Sequence, residues 1–262
     1  MDENITSANG ASLSIAIIGI TGIGEITAGH DLGLTIYEKA MAQGTPVQDG
    51  DIIVVTQKAV SKSEGMIVDL DTITPSPFAL GISKTLNKDP RLVEVVLREA
   101  SRIVKMDNGV IITQTHHGFV CANSGVDASN VPGSSSVTLL PRDPDASAAR
   151  IRARIQDLSG RRVAVIVSDT FGRPWRMGIV NVAIGVSGLE PIADLRGSAD
   201  AFGKTLKATE IAVADEIASA AELVTGKTRG IPVVIVRGYP WSFSETGSSK
   251  SLIRPKESDL FR

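Results

Sequence analysis

The sequence predicts an α+β protein, one domain over residues 1–262 in which helices interleave with mixed sheets. Three observations predict it. Short β-branched runs, Asp51–Thr56 (DIIVVT) and Val163–Val167 (VAVIV), read as buried strands. Between them lie stretches with apolar residues at helical spacing, such as Leu32, Ile36 and Ala40. Strands and helices follow no regular alternating period, and no segment repeats.

The elements follow in order. Residues 13–20 (LSIAIIGI) read as a strand, and Asp31 caps a helix through about Gln43. The strand at Asp51–Thr56 is expected to end in a polar loop, Gln57–Gly65. Thr72–Pro77 is a turn region with two prolines, followed by a helix. A clearer helix starts at Asp89 with Pro90 in its first position, and Leu92, Val93, Val96 and Leu97 give it one buried face. Val110–Ala122 alternates, a Gly/Ser/Asn-rich loop follows, and another strand lies near Ser136–Leu140.

Asp145 is expected to cap a helix that Gly160 ends, with Arg150, Arg152 and Arg154 forming a solvated face. The strand at Val163–Val167 runs into Ser168, Asp169 and Thr170, and a weaker strand spans about Val180–Val186. Ile211–Val224 reads as helix stopped by Gly226, and Ile231–Val236 (IPVVIV) is the last core strand. Beyond Pro240 the chain is polar and reads as irregular.

The bulk numbers exclude several classes. A net charge of -2 gives no electrostatic case for nucleic acid, which needs a basic stripe. No apolar run approaches the ~20 residues of a membrane span. Met1–Gly10 is acidic and polar and lacks a signal-peptide pattern, so a cytoplasmic location is expected. The single cysteine, Cys121, permits no internal disulfide, and its strand setting reads as that of a buried, inert thiol.

Three polar segments follow expected strands: Gln57–Gly65, Asn123–Asn130 and Ser168–Gly178. Loops at strand ends are where a scaffold displays functional groups. Asp127 and Asp169, with the hydroxyl of Thr170, suit the sparse protein ligation of Mg²⁺ or Mn²⁺. Lys62, Arg173 and Arg176 can neutralise phosphate or carboxylate charge. The plain alternative is that each aspartate merely closes a turn through its own backbone.

Gly19, Gly22 and Gly24 suggest a phosphate-cradling turn, yet the third glycine of the dinucleotide pattern would fall on Thr27, and GxxxxGK is absent. A simple tight turn is the alternative. His116 and His117 are adjacent, so in a strand they face opposite ways and do not share one metal; His30 belongs to a helix start.

At these same loops the sequence resembles a known family. GIGEITAGHDL (22–32), DGDIIVVTQKAVSKSEG (49–65), NSGVDASN (123–130), SDTFGRPWRMG (168–178), AIGVSGL (183–189) and ATEIAVADEIASAAELV (208–224) resemble the coenzyme F420-0:L-glutamate ligase family. GIPVVIVRG (230–238) and the closing SDLFR (258–262) fit as well. The likeness runs in order from about Ile17 to the end.

The resemblance implies a CofE-like fold, two subdomains within the one domain, and an intertwined homodimer. It implies that Gly22, Ile23, Gly24 and Glu25 contact GTP, with Gly24 standing where the family often has proline. It gives Lys62 and Asn130 to the nucleotide, with Gln57 beside them where serine is common. Asp127 and Asp169 are implied ligands of a first divalent metal, Mg²⁺ or Mn²⁺. Thr170 is the implied ligand of a second, Glu210 a further ligand, and K⁺ an additional ion. Asp127, Asp169 and Lys62 are then the catalytic set.

The family reaction makes an acyl phosphate from GTP and a carboxylate of F420-0, which the amine of L-glutamate then displaces. Arg173 and Arg176 are candidates for the acidic acceptor or the incoming glutamate, and Trp175 is expected in the core rather than as a wall for the deazaflavin. In one branch of the family the ligase is fused to a flavin-binding domain, so a stand-alone enzyme and one domain of a fusion are both expected forms. Two alternatives stand beside this reading: a related amide ligase acting on another acidic acceptor, and a non-catalytic GTP-binding protein.

Overall fold

The computed structural model describes residues 13–128 and 135–259. Its centre is a six-stranded sheet, built because β-branched residues fit a pleated surface buried on both faces. The first strand is β1 (Ala16–Ile20). Helix α1 (Leu32–Ala42) follows, with Asp31 accepting a hydrogen bond from the Leu34 amide. Next comes β2 (Ile52–Thr56), which runs directly into α2 (Gln57–Ser63).

The chain then leaves the sheet through β3 (Ile67–Asp69), α3 (Pro77–Leu86), α4 (Pro90–Arg98), β4 (Ala100–Asp107), β5 (Val110–Thr115), β6 (Val120–Ala122) and β7 (Ser136–Thr138). It returns by α5 (Pro144–Ser159) to β8 (Ala164–Gly172), which forms a hairpin with β9 (Ile179–Leu189). The short ribbon of β10 (Ala193–Asp194) and β11 (Glu210–Ile211) precedes α6 (Val213–Thr225). The last strands are β12 (Val233–Arg237) and β13 (Phe243–Ser244).

Strand order in the sheet is β1-β12-β2-β8-β9-β13. All neighbours are antiparallel except β2 and β8, which run parallel from Ile52↔Ala164 to Thr56↔Ser168. The ends of β1, β2 and β8 therefore lie along one margin of the sheet, together with the start of β12. The amide of Thr56 donates to the carbonyl of Pro232 at 2.9 Å across this margin.

Period-two alternation divides the core. Ile53, Val55, Val165, Val167, Val233 and Ile235 face one side and pack with α1 and α5. Ile52, Val54, Ala164, Ile166, Val234 and Val236 face the other and pack against Ile217, Ala218 and Ala221 of α6. The crossover between β2 and β8 has its own cluster, in which Val93 and Val96 of α4 meet Ile111, Val137 and Leu139. Mixed layers of helix and sheet are thus what the periodicities predict. No helix among the described residues is long and apolar enough to cross a membrane.

One ion pair anchors the opposite end of the sheet. Asp51, fully buried, accepts from Arg237 Nε and Nη2, both at 2.8 Å, and from the Gln48 amide at 2.8 Å. This two-point geometry is specific to guanidinium and holds β12 on β2.

Several expectations change. Gln57–Gly65 is not a loop: α2 forms because Gln, Lys and Ala favour helix and because Ala59 and Val60 are buried. Asp143, not Asp145, caps α5 through the Ala146 amide, with Pro144 opening the helix. Asp145 instead accepts from the Val186 amide at 2.7 Å and from Ser248 and Ser249. Arg152 is buried, donating to the Val163 carbonyl and pairing with Glu245 at 3.0 Å, so the three arginines are not one solvated face. Positions two apart on a helix point to opposite sides. Strand β4, absent from the sequence parse, is mostly exposed and lacks an apolar alternation. The histidine pair lies in the turn after β5, where His116 meets the Arg98 carbonyl and His117 that of Pro141.

Candidate functional site

A cavity of about 510 Å³ opens at the sheet margin where β1, β2 and β8 end and β12 begins. Each of those ends contributes: Gly24 and Glu25 beyond β1, Lys58 and Lys62 on α2, Asp169 and Thr170 on β8, and Gly230–Pro232 before β12. The crossover supplies Gly125, Val126 and Asp127 from above, and the end of α6 supplies Glu222, Thr225 and Lys227. The parallel pairing of β2 with β8 is what brings segments over a hundred residues apart to one place.

Asp127 is aimed by an unusual backbone. Asn123 (φ 51°), Ser124 (φ 54°) and Gly125 (φ 71°) are all left-handed. Two of these are not glycine, and such strain persists only where the surroundings enforce it. Here buried Ser124 does so: its amide donates to Thr113 Oγ1 at 3.0 Å and its hydroxyl to the Val96 carbonyl at 2.8 Å. Gly125 is required as well, since a Cβ there would lie 2.8 Å from Leu140. The Asp127 backbone then bonds reciprocally with Thr138, at 3.1 and 2.8 Å, as a single bridge on the edge of β7 away from β3. Its carboxylate Oδ2 lies 2.8 Å from Lys58 Nζ.

Asp169 is carried by β8 itself rather than by a loop after it. Register slips between Val167 and Ser168, so that Ser168 pairs with Ala183 and Asp169 with Val182. Bulges of this kind re-aim side chains and gather at sites. Burial pushes the Asp169 carboxyl up to about 6; the Asp127 charge adds to the rise, while the Thr170 amide and the Lys227 and Lys58 ammoniums oppose it. Two carboxylates that feel each other in a recess are a ready seat for a cation. The buried Ser168 Oγ, on a residue that also lines the cavity, has no hydrogen-bond partner among the described residues.

Thr170 belongs to a chain of polar contacts. Its hydroxyl donates to Asn181 Oδ1 at 2.7 Å, and Asn181 Nδ2 donates to Glu222 Oε2 at 2.8 Å. Lys227 Nζ donates in turn to Thr170 Oγ1 and lies 4.0 Å from Glu222 Oε1.

Of the other expected residues, Lys62 is buried and its ammonium donates to Glu25 Oε1 at 2.7 Å. Gln57 is buried beside it, its amide held by Ser61 Oγ and the Leu139 carbonyl at 2.6 and 2.9 Å. Gly22 and Gly24 shape the preceding turn with φ of 71° and 78°, Gly24 lines the cavity, and Ile23 is turned into the core. Asn130 lies outside the described residues.

Three expectations are not met by the cavity. Glu210 sits in the β10–β11 ribbon, paired with Arg196 at 3.3 Å, and does not line it. Arg173 and Arg176 belong to the turn between β8 and β9, where Arg173 donates to the carbonyls of Met177 and Gly178. Trp175, expected in the core, is 80% exposed with φ 58° at that same turn. The turn joining two strands projects beyond the packed faces of the sheet, where loops meet solvent.

Lys58, Asn181, Glu222 and Lys227 escaped the sequence reading. Lys58 shares a segment with Gln57 and Lys62, but taking that segment as a loop hid which of its residues face one way. Lys227 is flanked by Gly226 and Thr228 just past a helix end, a signal too slight to single out.

Among the described residues, no three His, Cys, Asp or Glu side chains converge on one point. Asp127 and Asp169 therefore fit a hard ion that draws most of its oxygens from water and substrate, as Mg²⁺ and Mn²⁺ do with phosphates. Carboxylates for a cation and ammoniums for an anion in one recess suit an enzyme that activates with a nucleotide.

The class is that of an amide-forming ligase. The chain belongs to the F420-0:Gamma-glutamyl ligase family, whose profile matches residues 21–238. It is 48% identical to the coenzyme F420:L-glutamate ligase of Methanothermobacter thermautotrophicus over 252 residues, covering 95% of this chain and all of that one. It is 51% identical to the protein of the same name from Methanocaldococcus jannaschii over 218 residues, 83% of this chain and 86% of the relative. A third relative of that name, from Methanopyrus kandleri, is 45% identical over 242 residues, 91% of this chain and 94% of its own length.

Proposed function

We propose that this chain joins L-glutamate to coenzyme F420-0 through an amide bond, using GTP, as a cytoplasmic homodimer. The observation that carries the reading is the meeting of Asp127 and Asp169 with Lys58 and Lys62 around one cavity. The names of the relatives supply the two substrates; the site supplies the chemistry.

A carboxylate resists attack by an amine because its oxygen leaves poorly. In the proposed reaction an acceptor carboxylate oxygen bonds to the γ-phosphorus, the bond to GDP breaks, and an acyl phosphate forms. The glutamate amine then attacks the acyl carbon, phosphate departs, and the amine proton is lost to solvent. Phosphoryl transfer of this kind asks mainly for positioning and charge neutralisation.

Asp127 and Asp169 would hold a divalent cation, which when bound would offset polyphosphate charge. Lys58, ordered by Asp127, and Lys62, ordered by Glu25, present ammoniums toward the same recess. Each stays near a carboxylate until an anionic ligand offers a stronger partner. Gly24 leaves the turn after β1 open to close backbone approach, and Gln57 fixes α2 beneath it.

The test is incubation of purified protein with GTP, glutamate, F420-0 and Mn²⁺, with products resolved by mass spectrometry. Appearance of mono- or polyglutamyl product with equimolar GDP supports the reading. GDP release that ignores F420-0, or no product with either GTP or ATP, overturns it.

A further inference from the structure

We propose that the Lys227 ammonium is the second cation of this site, so that the enzyme works with one divalent ion per cavity instead of two. The proposal rests on the reading above and concerns how its charge is balanced.

Three observations lead to it. Successive side chains of a strand point to opposite faces, so Asp169 and Thr170 on β8 look to different sides. Asp169 looks with Val167 toward the face where the crossover holds Asp127. Thr170 looks toward α6, where Asn181 and Glu222 meet it. Thr170 therefore enters the shared cavity from a different wall than the two aspartates.

On that side a cation is already built in. The Thr170 hydroxyl spends its proton on Asn181 and one lone pair on Lys227. Lys227 also faces Glu222, which in turn accepts from Asn181. The four groups close a ring in which the Lys227 ammonium stands 4.0 Å from the Glu222 carboxylate, opposite charges meeting beside Thr170. A divalent ion on the remaining lone pair of Thr170 would stand against that ammonium and compete with it for the Glu222 carboxylate.

An ammonium at the cavity wall does part of what a metal does. It offers positive charge and three donors to phosphate oxygens. It differs in needing no loading, so its contribution is independent of metal concentration.

The experiment counts ions. Metal-free protein is saturated with a non-hydrolysable GTP analogue and titrated with Mn²⁺, free Mn²⁺ being followed by electron paramagnetic resonance. The expected result is one tight Mn²⁺ per chain with the six-line spectrum of an isolated ion. In Lys227→Gln the count rises toward two, and at low Mn²⁺ its turnover falls at least tenfold but recovers as Mn²⁺ is raised. Two tight, spin-coupled Mn²⁺ per chain in the unaltered protein would sink the proposal while leaving the ligase reading intact. An unchanged count of one in Lys227→Gln with unchanged turnover would also overturn it. No Mn²⁺ bound at all would remove both this proposal and the reading beneath it.

Discussion

The ammonium of Lys58 lies 2.8 Å from a carboxylate oxygen of Asp127, joining the helix after β2 to the crossover above it. The pair is partly exposed, with 20% and 43% of the two side chains accessible, so it adds little to stability. Its weight falls on function. Lys58→Met is expected to lower kcat/KM for GTP about 100-fold, with a melting temperature close to that of the parent. Steady-state kinetics beside a thermal melt measures both.

Asp127→Asn and Asp169→Asn keep the shape of the cavity and remove the charge that a divalent ion requires. Each is expected to lower turnover by at least ~10³-fold while the circular dichroism spectrum is unchanged. Full activity of either variant, loaded with Mn²⁺ after metal removal, would dismiss the carboxylate pair as the metal seat.

The raised Asp169 carboxyl gives a pH dependence of definite sign. An ordinary carboxyl at 3.8 in the unfolded chain rises to about 6 in the folded one, so between these values the folded state holds the extra proton. Metal-free protein should therefore lose stability as pH climbs from 4 to 6, with no further loss from this group above that. Asp169→Asn should flatten that slope. Thermal melts across the interval, with and without the substitution, decide it. A cation displaces the same proton, so apparent metal affinity should weaken as pH falls below about 6.

Arg237→Met would strand the buried Asp51 carboxylate with the Gln48 amide as its remaining partner. Breaking one side of a buried pair costs about 3–5 kcal/mol. Urea unfolding should show a shift of that size, and kcat of the folded fraction should hold, because the pair lies at the far end of β2 from the cavity.

Much of this was legible in the residues. Asp127 and Asp169 announced themselves because small and hydroxylated neighbours surround them, and the β-branched runs of β2, β8 and β12 marked the sheet. Harder to see was α2, where charged residues conceal two buried apolar ones in a seven-residue helix. Asp145 looked like a cap because composition near a helix start does not say which aspartate has the free amide within reach. Arg152 was invisible as a buried group, since its partner Glu245 is 93 positions away. Lys227 and Glu222 needed the packing of α6 on β9 before they could meet Thr170. Pairings set by tertiary packing leave no period in the chain.

The two aspartates belong to different pieces of architecture: Asp169 is part of the central sheet, whereas Asp127 is bridged to β7, the outer strand of the small β3–β7 ladder. A single ion between them would act as a rivet across that seam. Amide exchange in the small ladder should then slow on loading Mg²⁺ with nucleotide, while the deep strands, already protected by burial, stay as they were. The seat for the ion would double as the clasp that shuts the recess over its contents.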